Sequence, residues 1–146
     1  MHPTADFKVA IIGGGIGGLT CALSLAQECP GIKIDVYEQA AQYKEVGAGV
    51  GIGVNASKIL HRLGVGKAAN AISGERNKIH RSLRRWDNGK EIVTVDATFD
   101  RKEIRQLSVH RAELLNILFE AIQERGIATL HNLKRSVKVT VRQPLI

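Results

Sequence analysis

Aromatic residues make up only 4% of the chain, and there is a single tryptophan, Trp86. Binding to single-stranded nucleic acid calls for aromatic platforms set among basic residues. The main basic cluster, Arg76, Lys78, Arg81, Arg84 and Arg85, holds only Trp86, and the second, Arg101, Lys102 and Arg105, holds none. The net charge of +7 therefore reads as a solvated face, or as a surface that attracts anionic substrates and cofactors. No nucleic-acid partner is expected. Long apolar runs are missing as well: none approaches the ~20 residues of a membrane span. Met1 to Lys8 has no signal-peptide hydrophobic region. A cytoplasmic protein without a membrane partner is the expectation. Cysteine is scarce. Cys21 and Cys29 fall on or at the end of one helix, too far apart to pair, and read as packing residues in a reducing compartment. The histidines His2, His61, His80, His110 and His131 show no zinc spacing, so no metal is expected. A G-x-S-x-G elbow and a P-loop are absent too.

What is present is concentrated between Val9 and Glu38. Val9-Ala10-Ile11-Ile12 is a continuous apolar run, as expected for a strand buried on both faces. Gly13-Gly14-Gly15-Ile16-Gly17-Gly18 follows at once and fits G-x-G-x-x-G through Gly13, Gly15 and Gly18. Gly13 permits a tight turn, Gly15 lets the backbone approach a pyrophosphate, and Gly18 lets the helix pack near the strand. Leu19, Ala22, Leu23 and Ala26 share one helical face, and Pro30-Gly31 stops the helix. Ile34 and Val36 then alternate inward and lead to Glu38, placed to accept hydrogen bonds from the ribose of an adenine nucleotide. A carboxylate there repels a 2′-phosphate, which disfavours NADP at this site.

The 146 residues suffice for one domain with a real core. After a polar connection, Val46 to Gly53 alternates glycine with small apolar residues. This pattern has two readings: close approach of another backbone or a flat ligand, or a mobile loop. Asn55 reads as the N-cap of a helix that buries Ala56, Ile59, Leu60 and Leu63 and ends at Gly64, with a further helical piece over Lys67 to Ile72. Leu83 to Asp87 and Lys90 to Val95 flank Asn88-Gly89, which predicts a two-residue hairpin. Ala97 to Gln106 is charged and reads as a loop. His110 to Arg125 should be a helix burying Leu114, Leu115, Leu118 and Ile122, closed by Gly126. Ile127 to Leu130 should be a third strand of the main sheet, and Val137 to Val141 another strand. The fold class is α/β, Rossmann-like, with a parallel sheet and a small β-hairpin excursion.

Arg111 falls in the first turn of its helix, where a cation opposes the macrodipole at a cost of a few tenths of a kcal/mol. An anionic or carbonyl-bearing partner would explain it; so would an exposed arginine that tolerates the position. His110 beside it reads as a capping or surface residue.

Taken in order, Ala10 to Leu19, Val36-Tyr37-Glu38-Gln39, Gly47 to Ile52, Asn55-Ala56 and His110 to Leu115 resemble the FAD-dependent aromatic hydroxylases, salicylate hydroxylase among them. The resemblance runs from residue 7 to about residue 131. It implies an FAD-binding domain in which Gly13, Gly15 and Gly18 hold the pyrophosphate and Glu38, with Gln39, the adenosine end. Gly51 would contact the flavin or ribityl portion, and Arg111 the cofactor. It also implies NAD(P)H as reductant and a small aromatic substrate that gains a hydroxyl group. No catalytic residue is assigned. Val54 stands where the family has proline. The family's later Asp-Gly and Gly-Asp segments and its substrate-binding sheet are absent, so residues 1–146 read as the truncated N-terminal part of an FAD-binding domain, inactive alone. With its sheet incomplete, Val9 to Ile12 would be an exposed edge open to self-association. The alternatives are an NAD-dependent reductase and a catalytically silent nucleotide-binding remnant.

Overall fold

The structure is a computed structural model, and it describes residues 8–42, 48–73, 79–96 and 103–140. Gly47, Arg76, Lys78, Arg101, Lys102 and Val141, all part of expectations above, lie outside the described residues. The chain divides into two compact units, residues 1–48 with 111–146, and residues 49–110.

The first unit is a parallel sheet with helices. Strand β1 (Lys8–Ile12) leads through the glycine turn into helix α1 (Ile16–Glu28), which returns to strand β2 (Lys33–Tyr37). Helix α4 (Arg111–Arg125) leads to strand β7 (Thr129–His131). The sheet order is β1-β2-β7, and both pairings are parallel. Leu19, Ala22 and Leu23 of α1, Ile34 and Val36 of β2, and Leu114, Leu115, Leu118 and Ile122 of α4 are buried, as their periodicities predicted. Ala26, in the last turn of α1, is only half-buried.

Two expectations about strands need correction. β1 is half-buried on one face, through Val9 and Ile11, and exposed on the other. Lys8 and Ala10 are exposed, and Ile12 is 57% exposed, so an apolar run marks the strand without saying what covers each face. β1 is also an edge strand, since among the described residues it pairs only with β2. Residues 137–140 form no strand: Val137 is 95% exposed and no ladder gives it a partner. Alternating valines favour a strand only where another strand is at hand to pair. The third sheet strand begins at Thr129 rather than Ile127.

On the face of the sheet that carries Asp35 and Tyr37, the His131 ring stacks on Tyr37 with centroids 4.6 Å apart. Its Nε2 lies 2.7 Å from Asp35 Oδ1. His131 therefore ties β7 to β2 by side-chain contacts as well as by the ladder. Cys21 is exposed and Cys29 half-buried, so neither is the buried packing residue expected.

The second unit holds strand β3 (Gly49–Ile52), helix α2 (Val54–Arg62), helix α3 (Gly66–Ile72), strands β4 (Ile79–Arg84) and β5 (Glu91–Asp96), and strand β6 (Leu107–His110). β3 and β6 form an antiparallel ribbon that pairs Gly49 with His110 and Gly51 with Ser108. β6 was not anticipated, and His110 ends it instead of opening α4. The short apolar–polar alternation Leu107-Ser108-Val109-His110 was its only sequence signal.

Helix α2 is capped by Gly53, not by Asn55, and Val54 is its first residue. Val54 thus holds the first helical position, one that also accepts proline. Ile59 is 50% exposed and points away from the core that takes Leu60 and Leu63. The β4–β5 hairpin also differs from expectation. Arg85 N–H donates to Lys90 carbonyl O at 2.8 Å, which closes a four-residue loop in place of a two-residue one. Asn88 turns its side-chain Oδ1 to the Lys90 N–H at 2.9 Å, so it stabilises the longer loop.

Candidate functional site

The carboxyl ends of β1 and β2 meet at the glycine turn. Gly13 N–H donates to the Tyr37 carbonyl O at 2.8 Å, carrying the β1–β2 ladder one residue past the strand. Gly13 then takes φ 105°, a left-handed conformation that a side chain would strain. Gly18 is required for a different reason. A Cβ built on it would collide with the Gly13 carbonyl O, so the helix lies directly against the turn. Gly15 is the N-cap of α1; it is extended and offers no side-chain cap. No acidic residue occupies the first turn of α1 either. The first-turn N–H groups thus keep their capacity for an anion, which the helix dipole favours.

Glu38 does more than end β2. Its Oε2 accepts the Gly14 N–H at 2.7 Å, and its Oε1 accepts the Ala40 N–H at 2.8 Å. A carboxylate has about four lone-pair sites, so each oxygen can take a further hydroxyl donor. Glu38 can therefore hold the turn and a ribose together. The chain after β7 returns to the same place. Glu38 N–H donates to the His131 carbonyl O, and Lys134 N–H donates to the Glu38 carbonyl O, both at 2.8 Å.

These elements border an open pocket of about 250 Å³, lined by Gly13, Tyr37, Glu38 and Gln39 and also by Lys134 and Arg135. Of the residues expected at a site, Gly13, Gly15, Gly18, Glu38 and Gln39 thus come together at one end of one sheet. Arg111 is the exposed first residue of α4, and its backbone N–H donates to the Ala48 carbonyl O at 3.1 Å. Gly51 belongs to the other unit, on β3. Neither Gly49 nor Gly51 has any atom within 4 Å of where a Cβ would sit, so one face of the ribbon is open and flat. The opposite face carries the buried Leu107 and Val109. The glycine repeat at Gly49 and Gly51 is thus a paired strand and not a loop, and among the described residues nothing comes close enough to these glycines to require them.

Lys134 and Arg135 were not anticipated. No motif marks them, and they reach the pocket only because the backbone turns back after β7. Among the described residues no cluster of metal-ligating side chains occurs, and no helix is long and apolar enough to cross a membrane.

Residues 11–43, the strand, turn, helix and second strand, match the family described as NAD(P)-binding Rossmann-like domain. The chain is 36% identical over 119 residues to a 3-amino-4-hydroxybenzoate 2-monooxygenase of Streptomyces platensis, covering 79% of this chain and 29% of that one. It is 35% identical over 133 residues to a salicylate hydroxylase of Pseudomonas putida, covering 90% of this chain and again 29% of the relative. The chain is a relative of the amino-terminal part of the FAD-dependent aromatic hydroxylases. It spans less than a third of the length of these two enzymes. Among solved structures, CtdE in complex with FAD and a substrate superposes with a TM-score of 0.70 at 25% identity, over 88% of this chain and 30% of that one.

Proposed function

We propose that this chain is the FAD-binding portion of a flavin-dependent aromatic-ring monooxygenase. The observation that carries the reading is the Glu38 carboxylate joined to the glycine turn ahead of an uncapped helix. A diphosphate would sit at the Gly15 end of α1 and a ribose at Glu38. Gln39 lies beside it in the pocket wall. Gly51 offers an unobstructed backbone to a flat ring, and Arg111 a cation to an anionic or carbonyl edge of the cofactor. Bound flavin supplies the oxygen chemistry; the chain's own residues bind and orient it. A small aromatic substrate is supported by the names of the relatives, and NAD(P)H as reductant by the resemblance to the hydroxylases. A protein with only these residues lacks walls to exclude water from the reacting centre, so we expect no hydroxylation by it alone. The edge of β1, which has no second partner among the described residues, supports self-association by strand pairing, which sedimentation at rising concentration would reveal.

The match to an NAD(P)-binding family keeps a second reading open, a nicotinamide-dependent reductase. Titration of the purified protein with FAD and with NADH decides between them. FAD quenched on binding, with weak or no NADH binding, is the expected result. Tight NADH binding without flavin affinity would overturn the proposal.

A further inference from the structure

The segment after β7 matches no expected binding motif, yet it forms a wall of the pocket. Its placement is secured by groups other than its charged side chains. Asn132 Nδ2 donates to the Ala41 carbonyl O at 3.1 Å, Leu133 N–H to the Ala40 carbonyl O at 3.2 Å, and Lys134 N–H to the Glu38 carbonyl O at 2.8 Å. Leu133 takes φ 56°, which bends the chain at this point. The backbone thus brings Lys134 and Arg135 to the pocket lining.

Their charge changes what the pocket can accept. Glu38 alone would make this end anionic, and a carboxylate repels the diphosphate of a nucleotide as well as any phosphate on the ribose. Two cations against one carboxylate give the residues that line the pocket a net positive charge. Gly13 borders the same pocket, so the cations flank the turn whose helix N-terminus favours an anion.

We infer that Lys134 and Arg135 are nucleotide-binding residues that offset the Glu38 carboxylate and draw the ligand's diphosphate into the pocket. The inference rests on the nucleotide-binding reading above. Both side chains are exposed, so their attraction is modest and sensitive to salt.

The test uses calorimetric titration of the 146-residue protein with ADP, and with adenosine as an uncharged control. The double variant Lys134→Ala/Arg135→Ala should weaken ADP about three- to tenfold at low ionic strength, with the difference shrinking at high salt. Adenosine affinity should be unchanged, and the charge-keeping swap Lys134→Arg/Arg135→Lys should bind ADP like the wild type. A salt series on the wild type serves as a second measurement, its slope expected to be steeper than that of the alanine variant. Equal ADP affinity and equal salt slopes in wild type and alanine variant would overturn the inference while leaving the nucleotide reading intact. A parallel loss of ADP and adenosine would assign the segment to shaping the pocket, and would overturn it too. A wild type that binds neither ADP nor FAD would remove both readings together.

Discussion

The glycine turn and the β4–β5 hairpin are both short reversals built around glycine, and they are held by different kinds of contact. At the turn the bonded partners are distant in sequence: Gly13 bonds Tyr37 and Gly14 bonds Glu38, while Gly18 in the first turn of α1 lies against the Gly13 carbonyl. At the hairpin tip every bond is local. Arg85 pairs with Asp87 at 2.9 Å, Asn88 holds Lys90, and Gly89 N–H reaches the Arg85 carbonyl O at 3.0 Å. Trp86 at the tip is 97% exposed. The turn therefore exists only when its unit is folded, whereas the hairpin loop carries its own instructions. A residue lost from the turn should be felt by the fold and by the ligand; one lost from the tip should be felt by neither.

The largest effect should come from the core on which the turn depends. Leu118 of α4 is fully buried, and Leu118→Ala should lower unfolding stability by about 2–5 kcal/mol, measured by denaturant titration. A loss no larger than a surface substitution gives would show that the unit does not rely on α4. Next comes Gly18→Ala. The new Cβ meets the Gly13 carbonyl O and lies 3.3 Å from Ile11 Cγ2, so overpacking of about 1–3 kcal/mol and loss of nucleotide binding are expected together. A stable variant that binds FAD like wild type would break the link between helix packing and site.

Glu38 sharpens the comparison further, because it serves both fold and ligand. Glu38→Ala should weaken FAD by about 1–3 kcal/mol, as ribose and backbone donors lose their acceptor. Glu38→Gln keeps one acceptor oxygen and should lose less. Fluorescence titration showing equal affinity in all three proteins would remove Glu38 from the site.

The smallest effect belongs to the hairpin. The Arg85 guanidinium holds the Asp87 carboxyl below its ordinary value, and Asp87 in turn raises Arg85. A carboxyl with a depressed folded value adds stability above its unfolded value and loses it as pH falls through the folded one. Because the pair is exposed, Asp87→Asn should shift the thermal midpoint little at neutral pH and not at all in strong acid. A clear loss at neutral pH would mean that the hairpin tip is less self-contained than its local bonds indicate.

Much of the first unit was legible in the residues. Strand, glycine turn, helix, second strand and terminal acid follow one another at spacings set by backbone geometry, and the helix faces follow from a 3.6-residue period. The same locality explains why the hairpin could be placed although its loop length could not. Arg85, Asp87 and Asn88 have turn chemistry compatible with either loop, and only the strand register decides.

The amino-acid sequence by itself determined the strand–turn–helix–strand order of β1, α1 and β2, the buried faces of α1 and α4, and the coincidence of Gly13, Gly15, Gly18 and Glu38 at one end of a sheet. Only the tertiary structure decided that Leu107–His110 is a strand, that Val137 is not in one, that β1 has an open face, and that Lys134 and Arg135 border the pocket. Periodicity records which side of an element is apolar. It does not record which distant strand will supply hydrogen-bond partners, or where a segment without a motif is carried once the sheet has formed.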